Sequence, residues 1–153
     1  MHKLYIGLGS NLGEKEQNLK KAIQLIGERI GEVTAQSAFI STPPWGYESE
    51  NPFLNAAIGC LTKLDPTEVL TRTQNIEIEM GRVHSKKGYE DRIIDLDLLF
   101  YDDWIIQTET LTLPHPLLDK RSFVLEPLAQ IAPDTVHPIL KKTIKTLLEE
   151  IRS

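Results

Sequence analysis

Asp95 and Asp97 stand two apart in Ile93-Ile94-Asp95-Leu96-Asp97-Leu98-Leu99-Phe100, an otherwise apolar run. Residues i and i+2 of a strand face the same way, so both carboxylates share one face while Ile94, Leu96, Leu98 and Phe100 cover the other. That pattern predicts a central strand with its acids close together near a core. Like charges held there repel and lose hydration, a cost that a bound divalent cation relieves. Magnesium suits such a pair, because it takes hard oxygen ligands and is commonly held by one or two carboxylates plus substrate phosphates. The competing reading pairs both acids with Arg92 and a second base, and an Asp-x-Asp step serves several kinds of metal-dependent enzyme.

Other residues could complete a site for an anionic, partly aromatic substrate. From Arg82 to Arg92 the chain carries Arg82, Lys86, Lys87 and Arg92 against Glu90 and Asp91, with His84 as a further donor, and Lys120-Arg121 follows later. A solvated loop is the plainer reading of such a charge run. Phe53 and Asn55 share a strand face, so a flat heterocycle could stack on Phe53 while Asn55 reads its polar edge. Core packing is the alternative for Phe53. Pro114 and Pro116 hold His115 on a loop, where an ordinary surface histidine is the alternative. Gln74 and Glu77 fall on a helix and read by default as a solvated face. Gly7-Leu8-Gly9-Ser10-Asn11-Leu12-Gly13 invites a dinucleotide-binding reading, but the acidic residue expected after the second strand is missing, with Glu32 ahead of that strand and Thr42-Pro43 at its end. A tight turn and helix start is the better account.

These side chains need a scaffold. At 153 residues the chain has the size of one domain, and 1–153 is read as a single unit able to bury a core. A net charge of -5 weighs against a general nucleic-acid binder, which needs a broad basic surface. No apolar stretch reaches bilayer length, and the Met1–Gly9 start lacks a signal peptide's features, so a cytoplasmic protein is expected with no membrane partner. The one cysteine, Cys60, lies in an apolar run and reads as a buried structural thiol.

Periodicity predicts a strand at Tyr5–Leu8, a helix over about Glu16–Ile30 stopped by Gly31, and a strand from Val33 to Ser41. Paired prolines make Thr42–Pro52 a loop, after which Phe53–Thr62 reads as a strand. Asp65-Pro66-Thr67-Glu68 is a helix-start signal, with a capping Asp and Pro at the first position, for a helix running to Met80. A strand over Ile93–Tyr101, a short partner near Trp104–Ile106, an extended piece at Leu111–Leu113, a helix at Phe123–Ile131 and a last amphipathic helix through Ile144, Leu147, Leu148 and Ile151 complete the chain. Strand-helix-strand-strand-helix-strand is the order of a ferredoxin-like α+β sandwich, with helices packed on a mainly antiparallel sheet.

Taken in order, Gly9-Ser10-Asn11-Leu12-Gly13, Thr42-Pro43-Pro44, Phe53-Leu54-Asn55, Gly81-Arg82, Arg92-Ile93-Ile94-Asp95-Leu96-Asp97 and Pro114-His115-Pro116 followed by Arg121 and Phe123 resemble the 6-hydroxymethyl-7,8-dihydropterin pyrophosphokinase family over nearly the whole chain. The resemblance implies transfer of pyrophosphate from ATP, as co-substrate, to the pterin hydroxymethyl oxygen in folate synthesis, leaving AMP. It implies two magnesium ions on Asp95 and Asp97, with Arg82 and Arg92 joining them in catalysis. Thr42, Pro43, Trp45, Phe53, Asn55 and Phe123 would form the pterin pocket, with Phe53 and Phe123 as a sandwich. Gln74, Glu77, His84, Tyr89, Arg92, Leu98, Thr112, His115 and Arg121 would lie on the ATP side, and the basic segment would close over the phosphates. Departures from the family's pattern are Tyr89-Glu90-Asp91 where Trp-Gly-Pro is common, His84 where an Arg is common, and Thr110 where a basic residue is common. Small-molecule substrates and a monomer are expected. Another magnesium-dependent nucleotidyl or phosphoryl transferase, and a non-catalytic ferredoxin-like ligand-binding module, are the competing classes.

Overall fold

Three apolar strands and two amphipathic helices dominate the sequence pattern, and they meet as one layered arrangement in a computed structural model that describes residues 1–42, 52–81 and 93–152. The elements are β1 (His2–Ser10), α1 (Lys15–Arg29), β2 (Gly31–Gln36), β3 (Ile40–Thr42), β4 (Phe53–Thr62), α2 (Pro66–Glu79), β5 (Asp95–Tyr101), β6 (Ile106–Gln107), β7 (Thr112–Leu113), α3 (Ser122–Ile131) and α4 (Ile144–Arg152). Antiparallel pairing gives the sheet order β2-β4-β1-β5, with β3 also on β4. Counting β2 and β3 as one interrupted strand, this is the ferredoxin-like order expected.

Alternation along β1 and β4 divides the core. Leu4, Ile6 and Leu8 join Ala56, Ile58 and Cys60 under Leu19, Ala22 and Ile26 of α1 and Val69 and Ile76 of α2. On the opposite face Tyr5, Ala57, Leu99 and Phe100 pack under Val124, Leu125 and Leu128 of α3 and Ile144, Leu147 and Leu148 of α4. Helices therefore cover both sides of the sheet. Burial pushes the Cys60 thiol up to about 11, which keeps it protonated and unreactive, as a structural cysteine should be. No helix among the described residues is long and apolar enough to cross a membrane.

Local signals account for several boundaries. Asp65 accepts the Glu68 N–H at 2.8 Å and caps α2, with Pro66 in its first turn. Gly31 ends α1 for a different reason from a left-handed cap. A Cβ built on it would lie 2.1 Å from the Leu61 carbonyl oxygen, so glycine is what lets β2 start hard against β4.

Four expectations are corrected. The strand read from Val33 to Ser41 breaks after Gln36, because buried Ser37 takes over the pairing: its hydroxyl accepts the Ala57 N–H while its own N–H donates to the Ala57 carbonyl. β5 lies at the end of the sheet and is not central. A register shift between Tyr5 and Ile6, which pair with Phe100 and Leu98, turns Phe100 to the α3/α4 side, away from Leu96 and Leu98. Trp104 and Ile105 are exposed and outside any strand, and Ile106–Gln107 pairs with Thr112–Leu113 as a separate two-stranded ribbon.

Candidate active site

Cross-strand register builds the site. Gly9 pairs with Asn55 on β4 and with Asp95 on β5, and Gly7 pairs with Ala57 and Asp97. Directly opposed residues share a face, so Asn55, Gly9 and Asp95 form one row, and Asp97 lies on the same α3/α4 side two residues along. At two strand spacings, the Asn55 and Asp95 backbones are about 10 Å apart, with only glycine between them. A Cβ on Gly9 would come 3.1 Å from Asn55 Oδ1 and 3.3 Å from Phe53 Cδ1, which confirms that the aromatic, the amide and the glycine occupy one trough.

Asn55 is 4% exposed and donates through Nδ2 to Thr42 Oγ1. With the amide nitrogen held by Thr42 on β3, Oδ1 is turned to the Gly9 side as an acceptor. The Thr42 side chain thus orients the Asn55 amide. Phe53 is half-buried on β4, and Phe123 projects from the first turn of α3, the helix packed against β4. The guanidinium carbon of Arg121, 8% exposed, lies 5.6 Å from the Phe123 ring centroid, a cation–π contact joining the cationic and aromatic parts of the site.

On the acid side, Asp95 and Asp97 are partly exposed on β5 between buried apolar neighbours. The backbone of His115 donates to the Leu99 carbonyl at 3.1 Å and pins the proline-flanked loop to the outer edge of β5. Burial, with the Arg121 charge adding to it and Asp95 opposing it, lowers the His115 pKa to about 4. The ring is neutral at pH 7. Its Nδ1 accepts the Leu117 N–H at 3.2 Å, so the proton sits on Nε2, the atom 4.0 Å from Asp97 Oδ1. The imidazole therefore presents an N–H donor to the space beside the acids.

Glu77 corrects the reading of a solvated helix face: it is 4% exposed and its Oε2 accepts the Leu96 N–H at 2.8 Å. A signal was present, since Leu70, Thr73, Glu77 and Met80 follow helical three- and four-residue spacing. Gln74, one turn earlier, is exposed. Leu98 is buried among α1 and α2 side chains, which leaves its backbone as the part able to face a ligand. Thr112 lies on β7, which packs against β5. Pro43, Trp45, Arg82, His84, Tyr89 and Arg92 lie outside the described residues.

The acid pair fits magnesium by its donor chemistry. Two partly exposed carboxylates on one face of β5 offer hard oxygens of the kind that magnesium takes. Among the described residues no three His, Cys, Asp or Glu side chains cluster as an all-protein cage, a kind of cage that magnesium seldom uses.

Residues 5–133 match the model of the 7,8-dihydro-6-hydroxymethylpterin-pyrophosphokinase (HPPK) family. The 2-amino-4-hydroxy-6-hydroxymethyldihydropteridine pyrophosphokinase of Porphyromonas gingivalis is 41% identical over 138 residues, covering 88% of this chain and 93% of that protein. The protein of the same name from Aquifex aeolicus is 38% identical over 98% of this chain and 92% of its own length. In fold, the chain is similar to wild-type Plasmodium falciparum HPPK-DHPS, with a TM-score of 0.80 at 18% identity, covering 98% of this chain and 43% of that one. The chain thus spans under half of that longer protein.

Proposed function

Since the chain belongs to the 7,8-dihydro-6-hydroxymethylpterin-pyrophosphokinase family and is a pyrophosphokinase of folate biosynthesis, we propose that the Asn55–Gly9–Asp95 row is where its two substrates meet. The reaction moves the pyrophosphoryl group of ATP to the hydroxymethyl oxygen of 6-hydroxymethyl-7,8-dihydropterin and leaves AMP. The observation that carries the placement is the direct register of the amide and the acid on either side of one glycine.

On this reading Phe53 and Phe123 stack on the two faces of the pterin, and Asn55, held by Thr42, accepts from its polar rim. Pro43 and Trp45 are assigned to the same pocket. Asp95 and Asp97 would hold two magnesium ions shared with the ATP phosphates. What those ions supply when bound is neutralisation of phosphate charge and alignment of the displacement. His115 offers its Nε2–H and Arg121 its charge to phosphate oxygens, and Arg82 and Arg92 are assigned to the same charge. Gln74, Glu77, His84, Tyr89, Leu98 and Thr112 are assigned to the ATP side. Residues 1–153 act as one domain, a cytoplasmic monomer in this proposal.

Mixed with ATP, magnesium and the pterin, the protein is expected to release AMP in step with the pterin diphosphate, read by chromatography of the nucleotides. ADP as the only nucleotide product, or no dependence on the pterin, would overturn the proposal. Gly9→Ala tests the row itself. A methyl group there must displace Asn55 Oδ1 or the Phe53 ring, so KM for the pterin should rise about tenfold while KM for ATP changes by less than about twofold. Equal effects on both substrates in steady-state kinetics would place Gly9 outside the pterin half.

A further inference from the structure

Leu96 stands between the two acids, and its peptide has an unusual partner. β5 pairs with β1 on one side, and in the described sheet no strand lies on the other. The Leu96 N–H is directed to that outer side, where Glu77 Oε2 accepts it at 2.8 Å. Glu77 comes from α2, the helix layer opposite the face that carries Asp95 and Asp97, and at 4% exposure it is shielded from water. A carboxylate bonded to a backbone N–H in so dry a setting makes a strong, directional tie.

Resting on the metal reading above, we propose that Glu77 is a positioning residue for the acid pair. Asp95 and Asp97 are joined only through Leu96, so any rotation of that residue's backbone changes the direction of one carboxylate against the other. By holding the Leu96 N–H, Glu77 keeps the two side chains on one face at a fixed separation. A strand neighbour would do this in a sheet interior; here the helix supplies the acceptor in its place. Glu77 thereby acts on metal binding through the backbone of Leu96.

The test compares Glu77→Ala with Glu77→Gln, which keeps an acceptor but loses the charge, and Glu77→Leu gives the same comparison if the alanine variant does not fold. In the ligand-free full chain, NMR hydrogen exchange at the Leu96 amide should stay slow in the wild type and in Glu77→Gln, and be about tenfold faster in Glu77→Ala. Calorimetry with manganese(II) and ATP should show affinity weakened on the order of ten- to a hundredfold in Glu77→Ala and less than about threefold in Glu77→Gln. KM for the pterin should change by less than about twofold in either, because Asn55 lies on the far side of β1. Equal losses in the Gln and Ala variants with Leu96 exchange unchanged would overturn the proposal and make the charge of Glu77 a direct contact. An unaltered metal affinity in Glu77→Ala would overturn it too. Failure of the wild type to bind metal with ATP would sink the metal reading, an outcome that the metal-free exchange data keep separate from the Leu96 tie.

Discussion

Asp97→Asn is expected to lower turnover by about a thousandfold at saturating substrates under the proposed metal placement, because a neutral amide oxygen would not replace a carboxylate in holding a divalent ion against triphosphate charge. The substitution keeps the shape of the side chain. Asp97 is 33% exposed and its strand is held by β1 pairing, so the thermal midpoint measured without metal should move by no more than a few degrees. AMP formation followed at several magnesium concentrations, with a melt on the same sample, checks both halves. Turnover within about threefold of wild type would remove Asp97 from the metal site.

Asn55→Ala carries the second large effect, on the other substrate. The amide is buried and oriented by Thr42, so in the proposed pterin pocket its loss would leave a rim donor of the ring facing an apolar methyl. An unmet buried partner costs about 1 to 3 kcal/mol, which corresponds to roughly a ten- to hundredfold weaker pterin affinity. Calorimetric titration of the pterin in the presence of a non-hydrolysable ATP analogue measures it. The nucleotide's own affinity should be unchanged within about twofold. Loss on both sides would mean that Asn55 supports the sheet row as a whole and does not read the ring.

The parts of the molecule legible in the sequence are those where one local rule acts without competition. β4 begins and ends where expected, Phe53 to Thr62, since an apolar run without proline lies between Pro52 and the Asp65-Pro66 cap. The shared face of Asp95 and Asp97 follows from strand geometry alone, and that of Phe53 and Asn55 likewise. What stayed hidden depended on a neighbour far along the chain. Ser37 breaks its strand because Ala57, twenty residues away, meets its hydroxyl. Phe100 changes face because β1 shifts register at Tyr5. The meeting of Asn55 with Asp95 across Gly9 requires three strands to be placed at once, and no spacing within one segment encodes it. Glu77 looked like a solvated carboxylate because burial of an acid pays only when a partner arrives from elsewhere, here the Leu96 N–H.

The outer side of β5 has a meaning apart from catalysis. An exposed strand edge offers free N–H and C=O groups to any other chain and is a common start of aggregation. Here the Leu96 N–H is taken by Glu77 and the Leu99 carbonyl by the His115 backbone. The contacts that frame the acid pair thus also occupy two of the backbone groups that this edge would otherwise offer to another chain.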